Sequence, residues 1–139
     1  MPTEAEWEFA CRAGTTTPFH SGPGFPNGTT NDGLVGTIAW HASNSGNVTH
    51  AVGGKAANAL GMHDMLGNVY EWCSDWYGST YYASSPLTNP TGPATGTYRV
   101  LRGGSWNLST GSVRSSYRFN GTPDGAGNVV GFRVARAPS

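Results

Sequence analysis

The chain has 139 residues, 37% hydrophobic, 12% aromatic and 12% charged, with a formal net charge of zero. That length suits one domain, 1–139, and leaves little room for a second. A balanced charge argues against nucleic acid as the partner, because phosphate binding needs a concentrated basic surface. No apolar run is long enough to span a bilayer. The start, Met1-Pro2-Thr3-Glu4, is polar and has no leader pattern, so the compartment stays open with the cytoplasm as the default expectation.

The first element reads as a helix. Thr3 and Glu6 have capping-box spacing, in which each side chain satisfies a free amide of the first turn. Trp7, Ala10 and Cys11, with Phe9, supply apolar positions at helical spacing, and Gly14 fits the stop. Residues 15–36 are turn chemistry, with Pro18, Pro23, Pro26, Asn27-Gly28 and Asp32-Gly33. Ile38-Ala39-Trp40 is a short apolar island, and 41–60 is again polar and irregular. From Val69 to Ser74 residues alternate, which predicts a strand. A Ser/Thr/Pro/Gly loop fills 78–96. Arg99–Leu101 reads as a second strand ended by Gly103-Gly104, Val113–Phe119 as a third, and Val129–Val134 as the closing one. The 21 glycines and 9 prolines fit a fold with many turns and few helices. The expected class is α+β with a small antiparallel sheet.

Cys11 and Cys73 are the 2 cysteines. Neither sits in a CxxC or Cys/His cluster, so zinc is not expected, and two buried thiols are favoured over a disulfide. Arg102, Arg114, Arg118 and Arg133 read best as structural forks to carbonyls and to Asp64, Asp75 or Asp124. Trp72, Trp76, Trp106 and Phe132 read as core, and His20, His41, His50 and His63 as loop-packing or surface residues.

Four blocks then stand in order: Pro2-Thr-Glu-Ala-Glu-Trp-Glu-Phe-Ala, Ala59-Leu-Gly-Met-His-Asp-Met-Leu-Gly-Asn-Val-Tyr-Glu-Trp, Arg99-Val-Leu-Arg-Gly-Gly-Ser-Trp and Gly131-Phe-Arg-Val-Ala. Together they resemble the formylglycine-generating enzyme (sulfatase-modifying factor) family over nearly the whole chain. The resemblance implies a C-type-lectin-like fold: a small twisted sheet, one or two helices and long ordered loops. Family domains usually carry a further segment before the first block, which is lacking here. The enzyme resembled oxidises a target cysteine through copper held by two thiolates just after the Gly-Gly-Ser-aromatic block. Leu108 and Val113 stand where those cysteines would fall. Soft Cu(I) needs sulfur donors, so no copper is expected and the reading leans away from an enzyme.

Leu66-Gly67-Asn68-Val69-Tyr70-Glu71 looks like the family's calcium loop. Calcium takes hard oxygens, so Asn68, Glu71 and the carbonyls of Leu66 and Val69 are the expected ligands of a structural ion, against a plain turn in which Glu71 pairs with an arginine. The segment 107–128 lies in a frame that resembles variable proteins of diversity-generating retroelements: Arg102-Gly-Gly-Ser-Trp106, Arg114-Ser-Ser, Pro123-Asp124 and Gly131-Phe-Arg133. There, adenines of asparagine codons are altered, which never yields Lys, Glu, Gln, Met or Trp. None of those five occurs between Asn107 and Val130, in a chain generally poor in them. The candidate contact positions are Asn107, Leu108, Ser109, Tyr117, Phe119, Asn120, Gly121, Gly125, Gly127 and Asn128.

The expected function is a non-enzymatic module that binds an unidentified protein or small molecule through 107–128. The alternatives are an oxidase of the formylglycine-generating type or a degenerate relative, and a structural fragment completed by a partner chain. Association into an oligomer is left open.

Overall fold

The computed structural model describes residues 1–136; residues 137–139 of the expected domain lie outside it. One helix, α1 (Glu4–Arg12), packs on a four-stranded sheet of β1 (Tyr70–Trp76), β2 (Arg99–Arg102), β3 (Arg118–Gly121) and β4 (Val130–Phe132). Short 3-10 turns at Asp32–Thr37, Tyr81–Ala83 and Thr110–Ser112 interrupt the long loops.

The α1 start follows the capping-box reading. Glu6 N donates to Thr3 Oγ1 at 3.3 Å and Thr3 N donates to the Glu6 carboxylate at 2.8 Å. The stop falls where the glycine suggested, with Gly14, φ 90°, directly after the C-cap. Ala13 takes the left-handed conformation, φ 49°, and its N–H donates to Phe9 O. Trp7 and Cys11 face the core, whereas Phe9 is exposed.

The sheet order is β3-β2-β1-β4. β1 and β2 pair antiparallel, as do β2 and β3, but β4 runs parallel to β1, so the sheet is mixed and not wholly antiparallel. The third strand, read as Val113–Phe119, starts later, at Arg118. Residues 110–112 form a 3-10 turn, Val113 is fully buried beyond it, and Tyr117 N closes a turn onto Arg114 O before β3 begins. The closing strand is likewise shorter, Val130–Phe132.

The polarity of the two sheet faces reverses the usual arrangement. Glu71, Cys73 and Asp75 alternate inward on β1 and are buried, while Trp72, Ser74 and Trp76 are half-buried on the other side. The apolar core proper lies among α1, the loops and this inner face: Trp7, Cys11, Phe19, Phe25, Val35, Ile38, Ala39, Met65, Leu66, Cys73, Val100 and Val113. Cys11 and Cys73 are both free thiols.

Charges survive inside because each carboxylate meets donors. Glu4 accepts both arms of Arg118, at 2.7 and 2.8 Å, and stands 3.5 Å from Arg102 Nε. Arg102, fully buried, also pairs with Glu8 and donates to the carbonyls of Ser115 (2.7 Å) and Tyr117 (3.1 Å). Glu71 takes the fork of Arg133 at 2.8 Å on both oxygens and the Trp7 indole N–H at 2.6 Å. Bidentate pairs of this kind hold both charge and geometry. The structural role expected of the arginines therefore stands, but their acidic partners are Glu4, Glu8 and Glu71, not Asp64, Asp75 or Asp124. Arg114 donates to Gly111 O.

Candidate functional site

The segment after β2 is anchored by its backbone. Trp106 N donates to Asn68 O, Leu108 N to Ser105 O, Ala42 N to Leu108 O, Ser112 N to Ser109 O and Ser115 N to Pro18 O. Arg102 holds Ser115 O and Tyr117 O from below, and residues 118–121 join the ladder with β2. The Trp106 indole donates to Asn128 O at 3.0 Å, tying the turn after 105 to the turn before β4. Ser45 Oγ donates to Trp106 O from the loop at 41–50. None of these bonds uses a side chain from the ten candidate positions; the exception nearby is Asn107, whose Oδ1 accepts from buried Ser105 Oγ at 2.8 Å. The fold of the segment is therefore largely indifferent to which residues stand there.

Asn107, Ser109, Phe119, Gly127 and Asn128 are exposed; Leu108, Tyr117, Asn120, Gly121 and Gly125 are half-buried. The structure gathers an aromatic group from them. Phe119, 44% exposed, stacks on Tyr70 with ring centroids 5.1 Å apart. Burial and neighbouring Tyr117 push the Tyr70 phenol above its ordinary range. Phe119 also ends a row across all four strands: Phe119 faces Leu101, Leu101 faces Trp72, and Trp72 pairs with Phe132. Other candidates diverge. Asn120 pairs with core Val100 and so sits on the opposite face from Phe119. A Cβ on Gly121 would stand 2.9 Å from the Trp72 ring, so bulk is excluded there, whereas one on Gly127 would meet nothing within 4 Å.

Phe132 departs from the core reading, since 69% of it is exposed. Its strand lies at the sheet edge, where the described residues leave most of the ring uncovered. Trp72, Trp76 and Trp106 are half-buried. His20 and His41 are buried loop residues, and burial lowers the pKa of both. His50 stacks flat on Trp40, centroids 3.6 Å apart, and His63 is exposed.

The second candidate region is a cleft of about 540 Å³ lined by Asp64, Gly67, Asn68, Val69, Glu71 and Arg133 among others. Gly67 is required beside it: at φ 73°, a Cβ would lie 2.2 Å from Trp40 O. The four expected calcium ligands separate here. Leu66 is packed in the core and does not line the cleft. The Asn68 amide is committed to the His50 backbone, its Oδ1 accepting from His50 N at 2.9 Å and its Nδ2 donating to His50 O at 3.0 Å. Glu71 already meets Arg133 and Trp7. Val69 and Glu71 line the cleft, joined by Asp64, which the sequence reading did not include. The donor chemistry is hard oxygen, which suits calcium, but the Asn68 side chain does not fit that shell.

Copper does not fit. Val113 is buried and Leu108 half-buried where thiolates would be needed, and neither has a donor atom. The two thiols present lie on α1 and β1. Burial pushes Cys11 up to about 12 and raises Cys73 further, so neither is a ready thiolate.

Comparison with known proteins places this architecture. The sulfatase-modifying factor enzyme 1-like domain matches residues 1–138. The chain is 39% identical to the serine/threonine-protein kinase pkn1 of Chlamydia caviae, over 98% of this chain and 21% of that protein. It is 37% identical to the formylglycine-generating enzyme of Streptomyces coelicolor, over 97% of this chain and 46% of that protein. Among solved structures, Treponema denticola variable protein 1 superimposes with a TM-score of 0.85 at 39% identity, covering 95% of this chain and 45% of that one. The chain thus spans less than half the length of these relatives. Its α+β, C-type-lectin-like architecture agrees with theirs, and the chain belongs to the sulfatase-modifying factor enzyme 1-like domain family.

Proposed function

We propose that the chain is a non-enzymatic ligand-binding module whose contact surface is the 107–128 segment. The observation that carries this reading is the separation of roles along that segment. Its backbone is pinned by Ser105, Ala42, Pro18, Arg102 and Trp106, while the side chains of Ser109, Phe119 and Asn128 point outward and make none of these bonds; Asn107, also exposed, accepts from Ser105 Oγ at 2.8 Å. A surface built this way is ordered on folding and not on binding, which lowers the cost of recognition. Tyr117 and Phe119 offer large, stiff contact area. Likeness to a protein named as a variable protein supports diversification of these positions.

The test is a display library randomised at Asn107, Leu108, Ser109, Tyr117, Phe119, Gly127 and Asn128 and selected against unrelated proteins and small molecules. Folded binders with distinct specificities are the expected outcome. Collapse of the fold in most members would refute the surface. A coding copy of 107–130 beside a reverse transcriptase gene is the expected genomic companion of diversification. The enzymatic alternative predicts oxidation of a cysteine peptide in the presence of Cu(I), read as a mass change; the absence of a sulfur pair near Leu108 and Val113 argues for none.

A structural calcium held by Val69 and Glu71 of the expected set, with Asp64, is a further part of this proposal; it would brace the loops at 52–53 and 61–69 that line the cleft. If bound, it stabilises the native state by mass action. Chelation should then lower Tm and elemental analysis should find the metal; an unchanged melt in metal-free protein removes calcium from the account.

A further inference from the structure

We propose that the cleft between the 3-10 turn at Asp32–Thr37 and the loop at 41–45 binds a neutral ligand with adjacent hydroxyl groups, a sugar ring or a polyol, through the His41 imidazole and the Asp32 carboxylate. The cleft measures about 320 Å³ and is lined by Asp32, Gly36, His41, Ser43 and Thr110 among others. That volume lies at the lower end for small-molecule sites and suits one sugar ring. His41 is only 6% exposed, yet its Nε2 has no hydrogen-bond partner among the described residues. This nitrogen lies 3.9 Å from where a Cβ on Gly36 would stand, so it faces the cleft that both residues line. A buried imidazole with an unmet nitrogen calls for a partner from outside the chain.

The loop decides which form of the ring meets the ligand. His41 N donates to Asn44 Oδ1 at 2.8 Å, and Asn44 N and Ser45 N both donate back to His41 O, so the turn fixes the residue. Within it Ser43 N donates to His41 Nδ1 at 3.4 Å. A nitrogen that accepts carries no proton, which leaves the proton of the neutral ring on Nε2. Burial, and after it the charge of Lys55, lower the His41 pKa, so the neutral ring prevails at pH 7. His41 therefore offers a donor and not a lone pair, which suits a hydroxyl oxygen and disfavours a metal ion.

The cleft also holds Asp32, which is exposed and has no cationic partner among the described residues; Thr110 Oγ1 donates to it at 3.4 Å. A carboxylate only accepts, whereas an Nε2–H only donates. A hydroxyl does both, so a diol can satisfy the two at once, with the Ser43 and Thr110 hydroxyls for further contacts. Net charge is disfavoured in either sense. An anion would meet Asp32, and a cation would approach Lys55, whose ammonium donates to Gly36 O and lies 3.7 Å from the centre of the Trp40 ring. Asp32, His41 and Ser43 lie outside 107–128, and Thr110 is not among the ten candidate positions, so the inference stands apart from the contact surface proposed above.

The experiment titrates the whole 15N-labelled chain with the methyl glycosides of glucose, galactose and mannose and with myo-inositol, up to about 100 mM, because so small a site implies a Kd on the order of 1 mM. Saturable shifts of the amides of 32–44 and 110 with at least one of these probes are the expected result. The His41 ring, read in a long-range 1H–15N spectrum, should carry its proton on Nε2 and respond to the same probe. Asp32→Ala, at an exposed position, should weaken binding at least about tenfold while leaving Tm near that of the parent. Thr110→Val should weaken it less, and Phe119→Ala should leave it unchanged. No saturable shift with any of the neutral probes overturns the proposal, as does undiminished binding by Asp32→Ala. Binding that Phe119→Ala abolishes would move the ligand to the 107–128 surface and overturn it too. So would shifts at 32–44 produced by Zn2+, glycine or phosphate and by none of the neutral probes.

Discussion

Between α1 and the inner face of the sheet, Glu4, Glu8 and Glu71 each meet a guanidinium, and Arg102 is wholly enclosed. Along 107–128 the backbone is just as firmly held, but Asn107, Ser109, Phe119 and Asn128 project outward. The first region is specified by side-chain identity, since removing one member strands a buried charge. The second is specified by backbone bonds, which any residue without a steric conflict can make. The contrast is between a seam fixed by side-chain identity and a segment held mostly through its backbone.

The sharpest way to break the contrast is Glu4→Gln. It removes the carboxylate that faces both Arg118 and Arg102 and should cost about 3–5 kcal/mol, read by urea denaturation as a lower midpoint with unchanged slope. A loss under about 1 kcal/mol would mean the buried seam is not the scaffold. Next, Glu71→Gln keeps the shape but weakens the Arg133 fork and the Trp7 indole bond. Because Arg133 is 23% exposed and can rehydrate, a smaller loss of roughly 1.5–3 kcal/mol is expected.

A third test uses pH. Burial raises the Asp75 pKa, and Asp75 Oδ1 has no hydrogen-bond partner. The folded state therefore holds the proton more tightly than the unfolded chain. The stabilisation is complete below the unfolded value, about 3.9, and is lost as pH rises through the folded one. Tm of the parent should fall across that window relative to Asp75→Asn, which cannot ionise. Parallel Tm curves from pH 3 to 7 would show that Asp75 is not desolvated. The smallest effects belong to the other region: Ser109→Ala and Asn128→Ala should each shift stability by no more than about 0.5 kcal/mol, and Asn107→Ala by on the order of 1 kcal/mol, because it takes the acceptor from buried Ser105 Oγ. Phe119→Ala should likewise lose on the order of 1 kcal/mol, with its Tyr70 stack.

Local chemistry was legible in the residues. The capping box fixed the start of α1, the alternation from Val69 marked β1, and the order of the blocks identified the family and with it the fold. The candidate surface was legible as a stretch of chain, because its frame of Arg102-Gly-Gly-Ser-Trp106 and Gly131-Phe-Arg133 brackets it. What the bracket did not reveal was which of its residues face together: Phe119 and Asn120 are neighbours in sequence but lie on opposite sides of the sheet.

By itself, then, the sequence determined where α1 and β2 begin, where β1 and β4 begin to within a residue, and which family frame they belong to, since these follow from side chains and their near neighbours. Only the tertiary structure decided that β4 pairs parallel with β1, that the arginines meet Glu4, Glu8 and Glu71, that Asn68 is turned to the His50 backbone, and that Phe132 is left bare. Each of those depends on residues far apart in the chain, as with Arg118 and Glu4, whose encounter is set by how the chain closes on itself and by the cost of burying either charge alone.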